Sequence, residues 1–180
     1  MSENEISRPP SPKSRGDLLE CLDEFGISHR TVDHQPVFTV VESAKIKADM
    51  PGGHSKNLFL KDKKGSLFLA VAHADTKVDL VALGKIIGAK GRLSFGNPEL
   101  MTATLGVEPG SVTPFALINA SPQELAYVVI DRAILDCDPV WFHPLENCAS
   151  TAVSPADMIK FIENCGFTPL ILDLADPTDA

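Results

Sequence analysis

The 180-residue chain is predicted to fold as a single α/β domain, because segments with helical and strand patterns alternate along it. The helical segments carry apolar residues every three or four positions and end at glycine, whereas the strand segments are short apolar runs between turn residues. A hydrophobic content of 44% allows one substantial core, and the length is short for two. We expect a flexible tail over residues 1–13 and the domain over residues 14–174.

The first quarter of the chain predicts a helix, a strand and a second helix. The leucines between Arg15 and Phe25 share one helical face, and Gly26 supplies a stop. A short strand is expected over Ser28 to His34. The segment Thr39-Val40-Val41-Glu42 has the Thr-x-x-Glu form of a capping box, which predicts a helix that runs to about Lys47.

Two apolar runs in the middle of the chain predict a β-hairpin at the centre of the sheet. They extend over Lys56 to Lys61 and Ser66 to Ala72, and Asp62-Lys63-Lys64-Gly65 between them is typical of a tight connection. The remaining elements follow from caps and apolar runs. Helices are predicted over Val78 to Ile87, over Pro98 to Leu105 after an Asn97 cap, and from Ser154-Pro155 to Gly166; strands are predicted over Pro114 to Asn119, Leu125 to Leu135 and Pro169 to Leu174.

The composition argues against several classes of protein. The four cysteines form no Cys-x-x-Cys pair, which disfavours a structural zinc site and a redox motif. No apolar run approaches the roughly 20 residues that span a bilayer, so we expect a soluble, cytoplasmic protein. Motifs of serine hydrolases, P-loop proteins and zinc proteases are absent. The spacing of four histidines does not suggest metal ligands, and we expect surface or core roles for His29, His34, His54 and His73.

The charge is distributed unevenly along the chain. The formal net charge is −8, but residues 45–92 contain ten Lys or Arg against four acids, a net of +6, and the remainder carries −14. Such a basic face on an acidic body is able to steer one end of a nucleic acid to a single site. A lysine-rich surface that only aids solubility remains the alternative interpretation.

Three segments carry residues suited to chemistry. Lys56 and Asn57 stand at the start of an apolar strand, where an amine and an amide are able to meet an anionic substrate. The segment Gly110-Ser111-Val112-Thr113-Pro114 combines a flexible glycine with a rigid exit, so that exposed amides are able to face a carbonyl oxygen. His143 lies in an apolar Trp-Phe-His-Pro-Leu segment. Taken alone, each has an ordinary structural interpretation: a solvated lysine, a turn and a packed histidine.

Together, the segments resemble the YbaK/ProX-type aminoacyl-tRNA deacylases, relatives of the editing domain of bacterial prolyl-tRNA synthetases. The resemblance extends from about Gly16 to Gly166 and is closest to the subgroup that clears alanine from proline tRNA. It implies a YbaK-like α/β fold, with a mixed, curved sheet flanked by helices and a pocket between the sheet and the helix that starts at Thr39.

The resemblance also implies roles for individual residues. The catalytic set comprises Lys56, Asn57 and His143, with Lys56 on the terminal adenosine and His143 on the aminoacyl group or the attacking water. The substrate-binding set comprises Gly110, Ser111, Val112, Thr113 and Pro114 on the ester, with Val40 and Ser43 in the wall that sizes the side chain. The family needs no enzyme nucleophile, metal or cofactor.

The function predicted in this way is trans-editing, in which Ala-tRNA(Pro) is hydrolysed to alanine and free tRNA. Its partners are the acceptor end of a mischarged tRNA and, if the enzyme does not act alone, prolyl-tRNA synthetase; no membrane is involved. Two alternatives stay open. The substrate is Cys-tRNA(Pro) or a Ser- or Thr-charged tRNA, or the protein is a non-catalytic module that binds the tRNA end.

Overall fold

The computed structural model describes residues 11–36 and 40–177, which form one mixed sheet of eight strands flanked by helices. The predicted fold class is confirmed. In chain order the elements are α1 (Arg15–Glu24), β1 (Arg30–Asp33), α2 (Val40–Ala48), β2 (Gly53–Lys61), β3 (Leu67–His73), α3 (Leu80–Ile86), β4 (Ser94–Phe95), α4 (Pro98–Leu105), a 3₁₀ helix (Pro114–Ile118), β5 (Leu125–Asp131), α5 (Arg132–Leu135), β6 (Val140–Phe142), β7 (Ala149–Val153), α6 (Pro155–Asn164) and β8 (Leu170–Leu172). The strands follow the order β1-β7-β6-β2-β3-β5-β8 across the sheet, and β4 pairs with β2.

The β2–β3 hairpin lies at the centre of the sheet, as predicted. The two strands are antiparallel from the pair Ser55 and His73 to the pair Lys61 and Leu67. The turn closes on the Asp62 carboxylate, which accepts hydrogen bonds from the N–H groups of Lys64 at 2.9 Å and Ser66 at 3.0 Å. A third bond, from the N–H of Lys90 at 2.8 Å, is the main cause of a lowered pKa for Asp62. The hairpin turn is therefore tied to the segment that precedes β4.

The edge of β2 away from β3 is shared by two short strands. Near its start, β2 pairs in parallel with β6 through Gly53 and His54 only. Near its end, the same edge pairs with β4 through Leu60 and Lys61. A gap in strand pairing therefore opens beside the middle of β2, and it positions the site described below.

Glycine is required where β2 meets the loop before β6. The Gly53 N–H donates to the carbonyl oxygen of Pro139 at 2.8 Å. A Cβ atom at Gly53 would lie 2.5 Å from the Cβ atom of Cys137, much closer than two carbons approach. Gly52 adopts a φ of 121°, which favours glycine. These two residues allow the close approach that starts the β2–β6 pairing.

The core packs on both faces of the sheet. Helices α1 and α6 cover one face, where Phe115 makes edge-to-face contacts with Phe142 and Phe161 at centroid distances of 5.6 Å and 5.3 Å. Leu83 of α3 packs on the other face against Leu60. A smaller cluster lies beside α2 and consists of Met50, Trp141 and Ala152.

Local signals predicted most helix starts correctly. Ser14 and Asp17 form a reciprocal capping box at α1, Asn97 caps α4 at 2.8 Å and Ser154 caps α6 at 3.1 Å. The helix predicted from Thr39 is observed as α2, although Thr39 itself lies outside the described residues.

Two predicted strands are wrong in part or in whole. The segment from Pro114 is a 3₁₀ helix, because the Thr113 hydroxyl accepts from the Phe115 N–H at 3.3 Å and proline occupies the first helical position. The strand predicted to Leu135 ends at Asp131, whose side chain caps α5. Strands β4, β6 and β7 were not predicted: β4 and β6 have only two and three residues, and β7 mixes polar with apolar residues.

Within residues 11–36 and 40–177, no helix combines the length and the apolar character needed to cross a membrane.

Candidate functional site

A cavity of about 180 Å³ opens between α2 and the point where β2 and β6 separate after His54, which we call the fork. This is below the roughly 300–1,000 Å³ of pockets that bury a drug-sized ligand, so the cavity suits a small group. The pocket lies where the sequence placed it, between the sheet and α2. Its walls are His34, Ile46, Lys47, Met50, His54, Ser55, Asn57, Trp141, Phe142, His143 and Ser150.

Asn57 is the most informative group in the wall. Its Nδ2 donates to the carbonyl oxygen of Val112 at 3.0 Å and to the Ser55 hydroxyl at 3.3 Å. A carbonyl oxygen only accepts, so the amide orientation is fixed. The Asn57 Oδ1 is then left buried, without a hydrogen-bond partner among the described residues. An unsatisfied buried acceptor costs stability, so this oxygen is an exception that requires an explanation.

His143 has one ring nitrogen engaged in a hydrogen bond and a second that is able to accept one. Its Nδ1 lies 2.9 Å from the carbonyl oxygen of Ala149, so Nδ1 carries the proton and Nε2 of the neutral ring is an acceptor. Burial lowers the pKa of His143; the bond to Ala149 opposes this shift, and nearby His34 adds to it. The ring is therefore neutral at neutral pH and suited to accept a proton or orient a water.

Two further histidines line the same cavity. The His34 ring lies 6.2 Å from that of His143, and its Nε2 lies 2.9 Å from the Ser150 hydroxyl. His54 has its Nε2 2.9 Å from the carbonyl oxygen of Met50, and burial lowers its pKa. The sequence assigned His34 and His54 to surface or core. His34 directly follows β1 and His54 lies at the start of β2. These positions at strand ends were the sequence signal that could have identified them as cavity residues.

Trp141 lines the cavity and is held there by two hydrogen bonds. Its Nε1 donates to the carbonyl oxygen of Pro51 at 2.9 Å, and its own carbonyl accepts from the Ser55 hydroxyl at 3.2 Å. The Arg30 guanidinium lies 5.1 Å from the ring centroid, within cation–π range. Ser150 and Trp141 were not singled out in the sequence, because β6 and β7 were not predicted.

Lys56 lies on β2 between two residues that line the cavity, but it is not itself part of the described lining. Alternation along the strand directs it to the opposite face from Asn57. It is half-buried, and no ion pair within residues 11–36 and 40–177 involves it. The Lys56 amine is therefore free to meet a ligand outside the cavity.

The Gly110 to Pro114 loop reaches the site through one atom, the carbonyl oxygen of Val112, which accepts from Asn57. Gly110 has a φ of 91°, as its predicted flexibility requires. The amide of Ser111 already donates to Glu108 at 3.0 Å, and the Thr113 hydroxyl caps the 3₁₀ helix. The loop positions Asn57. None of its residues lines the cavity.

Val40 and Ser43, the predicted sizing residues, belong to α2, but their side chains lie outside the part of the chain that the structure describes. From the same helix, Ile46 and Lys47 do line the cavity. Among the described residues no group of three or more His, Cys, Asp or Glu side chains is arranged to hold a metal ion.

Comparison with known proteins gives consistent matches. The family model of the aminoacyl-tRNA editing domain matches residues 34–161. Prolyl-tRNA synthetase associated domain-containing protein 1 of Bos taurus is 37% identical over 164 residues, covering 88% of this chain and 94% of that protein. The prolyl-tRNA editing protein ProX of Acetoanaerobium sticklandii is 34% identical over 158 residues, covering 87% and 95%.

A solved structure supports the fold. A protein described as a candidate trans-editing enzyme for prolyl tRNA synthetase superposes with a TM-score of 0.69 at 20% identity, covering 92% of this chain and 99% of that one.

Proposed function

Because the chain belongs to the aminoacyl-tRNA editing domain family, we propose that it is a trans-editing deacylase that hydrolyses Ala-tRNA(Pro). The bond between the alanyl carbonyl carbon and the terminal ribose oxygen breaks. A water oxygen bonds to the carbonyl carbon, and the ribose oxygen takes a proton. The products are alanine and a tRNA with a free terminal hydroxyl. The name of the Bos taurus relative associates it with prolyl-tRNA synthetase, and we propose that synthetase as the source of the mischarged tRNA.

The observation that carries this proposal is the buried Asn57 Oδ1 at a cavity of about 180 Å³. An aminoacyl ester brings an ammonium group beside the ester, and that group is a strong donor to such an oxygen. Alanyl and prolyl ammonium groups are both donors, so this oxygen recognises the aminoacyl group in general. The choice between alanine and proline is then assigned to the walls of the cavity.

We assign the preference for alanine to the size of the cavity. The aliphatic and aromatic part of the wall is formed by Ile46, Met50, Trp141 and Phe142. A wall that admits a methyl group and excludes a pyrrolidine ring would spare correctly charged Pro-tRNA(Pro).

His143 is the group we propose to orient the attacking water. Its Nε2 is unprotonated in the neutral ring because Nδ1 donates to Ala149. Of the described lining residues none is an acid, so the proton acceptors available there are the histidine rings and the Lys47 amine in its neutral form. We propose that Lys56, on the opposite face of β2 from Asn57, binds the phosphate of the terminal nucleotide outside the cavity as a point charge.

The test is hydrolysis of Ala-tRNA(Pro), Cys-tRNA(Pro), Ser-charged tRNA and Pro-tRNA(Pro) by the purified protein. Lys56→Ala is compared in each assay with Lys160→Ala, which removes a lysine from α6. We expect loss of the alanyl ester only, abolished in Lys56→Ala and retained in Lys160→Ala. Hydrolysis of the cysteinyl or seryl ester alone would move the specificity to that substrate. Inertness toward all four would favour a module that binds the tRNA end without hydrolysis.

A further inference from the structure

The turn between β2 and β3 and the segment before β4 bring five cationic side chains to one corner of the molecule. The Lys63 N–H donates to the carbonyl oxygen of Lys90 at 3.0 Å. The aliphatic part of Lys63 lies across Gly91, where a Cβ atom would be 2.6 Å from its Cδ. Ser94 pairs with Lys61. We call this corner the basic patch, which consists of Lys61, Lys63, Lys64, Lys90 and Arg92.

The charge of the basic patch is available to a ligand. The one acid among these segments, Asp62, is buried and accepts three backbone N–H groups. Four of the cations are exposed and Lys61 is half-buried. Within residues 11–36 and 40–177, none of the five belongs to an ion pair. The protein as a whole has a net charge of −8, so this concentration of positive charge is a local departure from an acidic body.

The basic patch lies farther along β2 than the cavity, at the end of the strand that leads into the β2–β3 turn. Lys61 is four residues beyond Asn57 on the same strand and points to the same face, which corresponds to about 13 Å at about 3.3 Å per residue. A stacked nucleic-acid strand advances about 3.4 Å per nucleotide. A strand whose last nucleotide is esterified at the cavity therefore reaches the patch about four nucleotides earlier.

We propose that the basic patch binds the phosphate backbone of the RNA duplex that carries the aminoacylated end. This inference rests on the proposed function, because it takes the esterified nucleotide to lie at the cavity. The patch contacts phosphates and so adds affinity and register without reading bases. The cavity discriminates between amino acids, and the basic patch holds the body of the tRNA.

The experiment measures the affinity of uncharged tRNA(Pro) at several salt concentrations for the protein and for the double variant Lys63→Gln/Arg92→Gln. Each lost phosphate contact lowers the slope of log affinity against log salt by about one. We expect a slope smaller by about two and an affinity lower by about tenfold at low salt, with the difference shrinking as salt rises.

The matched control is Lys13→Gln/Lys160→Gln, which removes the same charge beside α1 and on α6. It is expected to retain the wild-type slope. An equal loss in both double variants would show a general effect of net charge and would overturn the proposal. So would an unchanged slope in Lys63→Gln/Arg92→Gln with a wild-type thermal unfolding curve.

A second substrate separates this inference from the proposed function. The alanyl ester of adenosine has no duplex, and the patch variant should hydrolyse it as fast as the wild type while losing about tenfold in kcat/KM on Ala-tRNA(Pro). Equal losses on both substrates would overturn the patch assignment and leave the deacylase proposal intact. If the wild type hydrolyses neither substrate, the proposed function fails, and the salt slope for uncharged tRNA still decides the patch.

Discussion

Two polar residues of the sheet, the buried Asp131 and the half-buried Asn57, show how a structural group differs from a candidate functional one. Asp131 is 1% exposed and accepts from the His73 N–H at 3.0 Å and the Thr76 hydroxyl at 2.6 Å. Its other oxygen accepts from the Ala133 N–H at 3.3 Å. The Oδ1 of Asn57 has no partner among the described residues. The protein therefore satisfies the polar group that holds strands together, and leaves an acceptor without a described partner in a residue that lines the cavity.

The largest expected effect comes from Asp131→Ala. The substitution leaves at least two backbone N–H groups and the Thr76 hydroxyl without an acceptor, at a cost of about 1–3 kcal/mol for each buried group. We expect the free energy of unfolding to fall by about 3 kcal/mol, as measured by urea denaturation. Asp136→Ala, at the exposed end of α5, is the control and should change little. Equal stability of the two variants would refute the structural role.

Asn57→Ala is expected to do the reverse, with a small loss of stability and a large loss of activity. Removal of one hydrogen bond to a charged group costs about 1.5–3 kcal/mol, so kcat/KM on Ala-tRNA(Pro) should fall by about 50-fold. The control is Asn119→Ala, because Asn119 is an asparagine with both ends engaged, to Lys13 and Leu105 at 2.8 Å and 3.0 Å. A wild-type rate for Asn57→Ala would exclude it from substrate binding.

Gly53→Ala tests whether the fork itself holds the site open. The new Cβ atom would lie 2.5 Å from that of Cys137, so β2 must shift from β6. Overpacking of this kind costs about 2 kcal/mol and should also reduce kcat. The double variant Gly53→Ala/Cys137→Gly removes the clash and should recover part of the stability. Failure to recover any of it in thermal unfolding would locate the cost elsewhere.

The smallest expected effect concerns pH. Burial lowers the folded-state pKa values of His54 and His143 from an ordinary value of 6.5. Between the folded pKa and 6.5 the unfolded chain binds more protons, so stability is full above pH 6.5 and falls as the pH drops through that window. We expect His143→Gln to flatten this part of the curve of unfolding free energy against pH. An unchanged slope would mean that His143 is protonated in the fold.

The helices and the central hairpin could be predicted from the sequence because their signals are local. Ser14, Asn97 and Ser154 satisfy amides within three residues of themselves, and the Asp62 turn closes within four. Lys56 and Asn57 were singled out by the resemblance to the editing family, and the strand predicted to begin at Lys56 begins at Gly53. The 3₁₀ helix at Pro114 was missed because the Thr113 hydroxyl overrides the apolar, strand-like run that follows it.

The sequence by itself thus determined the fold class, the family and the segment that carries the proposed chemistry. The tertiary structure alone decided which groups meet. His34 and His143 lie 109 positions apart in the sequence, and they approach because β7 pairs with both β1 and β6. The free oxygen of Asn57 depends equally on a carbonyl 55 residues away. Such contacts arise from the register of non-local strands, which no local pattern of residues specifies.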